Sequence, residues 1–221
     1  EDGIRDIGVT GVQTCALPIW VINEDHISPG RGFGLHPHAD MEIITVMLAG
    51  ELVHQDSLGH RQALAAGEVQ CMSAGRGIVH SEMNESAEAA RLLQIWIEPA
   101  RRGGDPGYGQ QPFPSQPGWT LLIDPERRDG ALPIGRAVRL WRGRAGAGAQ
   151  LTLPGPMAPL TWLQQIDGTI SLELCQAAAE PVTITLQAGD GLGLSALRSG
   201  ALRAGDTGAD LLLFSLDAVQ S

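Results

Sequence analysis

The chain has 221 residues, 43% of them apolar and 18% charged, with a net charge of −10 when histidine is neutral. That length holds one large domain or two of about 100 residues, and the apolar share excludes global disorder. No apolar run approaches the roughly 20 residues of a membrane-crossing helix, and the acidic charge removes the usual attraction to a phosphate backbone.

The first twenty residues, EDGIRDIGVTGVQTCALPIW, lack the basic start, compact apolar stretch and small-residue cleavage site of a secretory leader. They resemble translated sequencing-adaptor sequence, so residues 1–20 are set apart as a non-native segment. Strand-like text begins at Val21-Ile22, and Ser28-Pro29-Gly30-Arg31-Gly32 reads as a turn. Glu42 to Leu48 is an apolar run with β-branched residues, closed by Ala49-Gly50; Glu51 to His54 follows, and Asp56 to Gly59 is another turn. Gly67-Glu68 and Gly75-Arg76-Gly77 keep the rhythm, and Arg91 to Glu98 reads as a strand with Leu93, Ile95 and Ile97 in its core. Residues 99–118 are dense in proline, glycine and polar residues and read as a connection. Further short strands are expected at 137–141, 150–153, 161–166, 169–174, 182–186, 191–194 and 210–216, with Asp167-Gly168 and Gly189-Asp190 as turns. Strands of four to eight residues between glycine-led turns, without a long 3.6-residue period, predict an all-β fold of two β-barrels in tandem. The expected division is residues 1–20 apart, an N-terminal barrel at 21–100, a connector at 101–118 and a C-terminal barrel at 119–221.

All six histidines lie at or before residue 80, which confines imidazole chemistry to the N-terminal half. His36-Pro37-His38 places two imidazoles at i and i+2, on one face of an extended strand and about 6.6 Å apart along it. His80-Ser81-Glu82 repeats the spacing with an imidazole and a carboxylate. On neighbouring strands the two pairs would form a shell of three imidazoles and one carboxylate, a donor set suited to Fe(II) and also to Mn, Ni, Cu or Zn. Four such donors on an octahedral ion leave two positions open, enough for O₂ beside a substrate oxygen. Glu42 shares the strand parity of His36 and His38 and is read either as a hydrogen-bonding neighbour of the site or as a core residue. His54 and His60 flank a turn and are expected at the solvated surface; His26 is expected in a loop and Cys71 as a small core residue. The three cysteines, Cys15, Cys71 and Cys175, are odd in number and widely spaced, which fits a reducing, cytoplasmic setting better than a disulfide framework.

The stretch RGFGLHPHADMEIITVMLAGELVHQDSLGH, followed by GEVQCMSAGRGIVHSEMN and LLQIWIEP, resembles the signature of the pirin family within the cupin superfamily. The resemblance runs from about Val21 to the C-terminus and is weakest after residue 100. It implies a bicupin of two jelly-roll-like barrels, with one metal ion, Fe(II) in first place, on His36, His38, His80 and Glu82 of the N-terminal barrel. It also implies quercetin 2,3-dioxygenase activity: O₂ opens the ring of a small aromatic flavonol and carbon monoxide leaves, with Glu82 as the base that takes the substrate's hydroxyl proton. The chain departs from the family pattern at Ala39, where arginine is common, and ahead of Val21, where an aromatic-rich strand is expected. The C-terminal barrel has no histidine, in keeping with a family whose second cupin binds no metal. Two other readings use the same residues. In one the protein is an iron-dependent module that binds a regulatory protein partner according to the metal's oxidation state; in the other the metal only braces the barrel.

Overall fold

The computed structural model describes residues 18–174, 182–195 and 200–217; Cys15 and Cys175, and nearly all of the set-apart N-terminal segment, lie outside that range. The described residues form strands and one short 3₁₀ turn at Arg128–Gly130, with no α-helix among them. Among the described residues no helix is long and apolar enough to cross a membrane. The all-β expectation holds, and the chain divides into two compact units.

The first unit contains β1 (Ile19–Ile27), β2 (Gly32–His38), β3 (Glu42–Ala49), β4 (Glu51–Asp56), β5 (Arg61–Ala65), β6 (Glu68–Ser73), β7 (Ile78–Met83), β8 (Ala90–Ile97) and β9 (Gly107–Pro112). They form a five-stranded sheet in the order β1-β8-β3-β6-β9 and a four-stranded sheet in the order β2-β7-β4-β5. The apolar run of β3 is buried from Glu42 to Met47 because β3 lies between β8 and β6 and both its faces are covered. Leu93, Ile95 and Ile97 of β8 are each at most 2% exposed, and Cys71 is a buried free thiol, as expected of core residues. Ile43, Met72, Ala74 and Ile78 form one apolar cluster; Ile27, Met47, Leu52, Leu64, Ala90 and Leu92 form another.

The second unit holds β10 (Gly118–Ile123), β11 (Val138–Ala145), β12 (Gln150–Thr152), β13 (Leu160–Leu174), β14 (Val182–Gln187), β15 (Gly191–Ser195) and β16 (Ala201–Leu216). These make one seven-stranded sheet, with β16 and β13 central. Its core gathers Leu163, Ile170, Leu172, Leu186, Leu202, Leu211 and Leu213.

The structure departs from the sequence reading in several places. The strand β1 starts at Ile19, inside the segment set apart as non-native, where Ile19 pairs with Ile97. The expected connector contains β9, whose residues 107–112 pair with 73–68 of β6, since a proline- and glycine-rich stretch can still add an edge strand. Residues 123–137, assigned to the second barrel, cluster with the first. Finally, Asp167-Gly168 is no turn. The chain runs through it as one fifteen-residue strand, and register shifts against β16 on either side of Gly168 (φ 73°) absorb the irregularity as a bulge.

Candidate metal centre

The strand β7 lies between β2 and β4, and its alternation points Ile78, His80 and Glu82 the same way, all at most 2% exposed. Across β2, His36 pairs with His80 and His38 with Ile78; across β4, Asp56 pairs with His80 and His54 with Glu82. Antiparallel register thus converts the i, i+2 spacing of three separate segments into one polar patch facing the opposite sheet. The ring centres of His36 and His80 are 4.4 Å apart, those of His36 and His38 4.8 Å, and those of His38 and His80 5.1 Å. Donor atoms of these three histidines all lie within 4.8 Å of one another.

Glu82 falls in a different grouping. Its oxygen gathers within the same 4.8 Å limit with donors of His80 and His54. Donors on the opposite sheet hold that carboxylate: Gln70 Nε2 donates to Oε1 at 2.6 Å, Gln94 Nε2 to Oε2 at 2.8 Å, and Thr45 Oγ1 to Oε1 at 3.4 Å. Gln94, Thr45 and Gln70 stand in one cross-strand row, since Thr45 pairs with Gln94 on one side and with Gln70 on the other.

Hydrogen bonds fix several ring orientations. The Nδ1–H of His36 donates to the Gly34 carbonyl at 2.6 Å, which leaves Nε2 with the lone pair. The Trp96 ring meets His38 edge-on at 5.3 Å and donates its Nε1–H to Gln94 Oε1. Both ring nitrogens of His80 are buried without a hydrogen-bond partner. Burial, and after it the neighbouring His36, His54 and His38, pushes His80 down to about 3. Burial and then His36 likewise hold His38 below its ordinary value.

His54 corrects the sequence reading: it is 1% exposed, because β4 continues to Asp56 and carries the ring inward. The His60 side chain is 38% exposed and shares Asp56 with it; His54 Nε2 donates to Asp56 Oδ2 at 3.2 Å and His60 Nδ1 at 2.8 Å. Burial alone would raise Asp56, but those bonds and the backbone N–H groups of His60 and Leu58 outweigh it and hold the carboxyl below its ordinary value. Both imidazoles also stack on Tyr108, whose hydroxyl donates to Gln110 Oε1 at 2.6 Å. Burial, then the nearby carboxylates Glu82, Asp56 and Glu68, push that phenol up. The clue was present in His54-x-Asp56, the same alternation that picked out His36 and His38. The turn at Ser57–Gly59 concealed it.

The remaining candidates lie elsewhere. The buried carboxylate of Glu42 takes a 2.5 Å hydrogen bond from Ser73 and another from the Gly135 backbone, so it is a hydrogen-bonded core group; burial raises it. His26 sits on β1, not in a loop, with its side chain 69% exposed. No sequence pattern singled out Thr45, Gln70, Gln94 or Tyr108. They sit on the opposite sheet, so only the folded barrel assembles them around Glu82.

The pirin family model matches residues 12–97, and the model of the quercetinase C-terminal cupin domain matches residues 121–216. A relative from Escherichia coli (strain K12) named quercetin 2,3-dioxygenase is 38% identical over 200 residues, which cover 90% of this chain and 82% of that protein. The crystal structure of YhhW from Escherichia coli aligns with a TM-score of 0.83 at 36% identity, covering 93% of this chain and 84% of that one. The bacterial pirin YhhW has also been solved in complex with nickel(II); that structure aligns with a TM-score of 0.81 at 36% identity, over 92% and 84% of the two chains.

Proposed function

Because this chain belongs to the pirin family, we propose that its first unit holds one divalent transition-metal ion on His36, His38, His80 and Glu82 and uses O₂ to open a flavonol ring. The observation that carries this reading is His80. A buried imidazole with neither nitrogen hydrogen-bonded is costly to keep, and a cation on a ring nitrogen satisfies it. The three histidine donors, within 4.8 Å of one another, fit such an ion, and Glu82 meets His80 in the neighbouring grouping. His36 has its lone pair directed to Nε2 by Gly34, as in metal-bound imidazoles whose other ring nitrogen donates to a carbonyl. Three imidazoles and a carboxylate suit Fe(II) first, and Ni, Mn, Cu or Zn as well. The nickel(II) complex of the related Escherichia coli protein supports that breadth.

When bound, the ion supplies Lewis acidity at the substrate oxygen and a place for O₂ beside it. The protein's own groups do the rest. Glu82 takes the proton of the flavonol 3-hydroxyl, and the amides of Gln70 and Gln94 keep its two oxygens in place while it does so. The edge-on Trp96 fixes the His38 ring. Met72 and Ile78, both at most 2% exposed, keep water from the floor of the site. One flavonol and one O₂ give the ring-opened ester and one carbon monoxide, with both oxygen atoms of O₂ retained in the products.

The test is anaerobic loading with Fe(II), then flavonol and O₂, followed by flavonol absorbance and carbon monoxide release. Wild type should consume the flavonol, while His36→Ala and Glu82→Gln should not. Absent consumption by wild type, or equal consumption by His36→Ala, overturns the reading.

A further inference from the structure

The four-residue site leaves His54 without a role. Its ring is 1% exposed, its Nε2 bonds Asp56, and its Nδ1 is buried with no partner. A carboxylate accepts and cannot donate, so the proton of the neutral ring resides on Nε2 and the lone pair on Nδ1. Asp56 is itself fixed by the His60 ring and by the backbone N–H groups of Leu58 and His60. An imidazole whose far nitrogen donates to a carboxylate, itself hydrogen-bonded, is the arrangement that supports metal-ligating histidines. His54 therefore carries the support of a ligand and has nothing to ligate among the four residues of the site.

We propose that His54 Nδ1, a ring nitrogen of His80 and a carboxylate oxygen of Glu82 form a second seat for a divalent transition ion, beside the His36–His38–His80–Glu82 seat and sharing His80 and Glu82 with it. Donor atoms of the three residues lie within 4.8 Å of one another, and all three side chains are buried. The His54 and His80 rings are 5.5 Å apart, against 4.4 Å for His36 and His80, so His80 stands between the two seats. Both of its ring nitrogens are unpartnered, so the ring can serve either seat. Two imidazoles and a carboxylate are a common set for borderline divalent ions, and three protein donors leave positions open for exogenous ligands. The pocket thus offers an ion two positions, one toward the half-exposed His36 and His38 and one deeper, toward His54. The inference rests on the metal reading of this pocket and is independent of flavonol turnover.

The experiment removes the outer seat. His36→Ala/His38→Ala, which alters two half-buried positions, is equilibrated with Cu²⁺; metal content, calorimetric affinity and pulsed EPR are then measured, with circular dichroism to verify folding. The expected result is one Cu²⁺ per chain with two coordinated imidazoles. Adding His54→Gln should abolish binding, and adding Asp56→Asn should weaken it about 10- to 100-fold through the lost support of His54. If the alanine pair does not fold, His36→Gln/His38→Gln serves in its place. A double variant that binds no ion while wild type binds one overturns the second seat and leaves the four-residue site standing. So does a bound ion with one imidazole, or undiminished affinity after His54→Gln. A wild type that binds no ion overturns both readings.

Discussion

Gly32 is the position where a single methyl group should do most to separate the two halves of the site. It opens β2 opposite Met83 of β7, with φ at 149°. A Cβ placed there would lie 2.2 Å from the Glu82 carbonyl oxygen, 2.8 Å from Met83 Cα and 3.1 Å from the Glu82 carbonyl carbon. All three are backbone atoms, so no side chain can swing aside and the strands must part. The unfavourable φ costs about 1–3 kcal/mol, and forcing packed backbone apart costs about 1–3 kcal/mol more. Gly32→Ala should therefore destabilise by about 2–6 kcal/mol. At about 2–4 °C per kcal/mol for a chain of this size, Tm should fall by at least about 4 °C. Because β2 carries His36 and His38 while β7 carries His80, divalent-metal affinity should fall as well. Gly34, two residues on in the same strand, is the matched control. A Cβ there meets nothing within 4 Å, and Gly34→Ala should stay within about 0.5 kcal/mol of wild type. The assay is thermal unfolding of the metal-free protein followed by circular dichroism, with calorimetric titration of Zn²⁺ into each variant. Equal melting and equal affinity for Gly32→Ala and Gly34→Ala would refute the argument that close backbone contact sets this part of the site.

Three further outcomes follow from the same structure. Gln70→Leu and Gln94→Leu each take a donor from the buried Glu82 carboxylate, and each should cost about 1.5–3 kcal/mol in urea unfolding while weakening metal binding about 10- to 100-fold; full affinity in both variants would show that Glu82 needs no such support. The Asp56 carboxyl sits below its ordinary value of 3.8, so the native state binds its proton less readily than the unfolded chain does. Its contribution is complete above about pH 4 and is lost as pH falls through the native value, so acid unfolding of Asp56→Asn should show a shallower loss of stability in that window than wild type. In the second unit, Arg142 donates to Asp210 at 2.8 and 2.7 Å with its side chain 10% exposed. Asp210→Ala strands that guanidinium and should cost about 3 kcal/mol, whereas Arg142→Met/Asp210→Leu should recover most of it; equal losses in the two variants would place the cost elsewhere.

Much of this was legible in the residues themselves. Glycine-led turns between short apolar runs identify an all-β chain, because a turn that needs positive φ and a strand that buries one face each leave a local mark. The i, i+2 pairs His36/His38 and His80/Glu82 were readable for the same reason. A strand's two-residue period is a local property, and both members of each pair lie on one strand. Boundaries were less secure. Gly168 reads as a turn locally, yet β16 supplies partners on both sides of it, and the ladder carries the strand through.

What only the tertiary structure decided is which strands lie side by side. Register places His36 and Asp56 on opposite flanks of His80, and His54 beside Glu82. The packing of one sheet on the other brings Thr45, Gln70 and Gln94 to the Glu82 carboxylate from residues 12 to 37 positions away along the chain. The same packing turns His54 from an apparent surface residue beside a turn into a buried donor. The sequence by itself thus settles which side chains share a strand face, since backbone geometry over two residues is fixed by the strand. Which faces meet depends on long-range pairing and burial, and that joins the His36/His38 pair to the His80/Glu82 pair, gives Glu82 its hydrogen-bond donors and brings the His54 ring within 5.5 Å of the His80 ring.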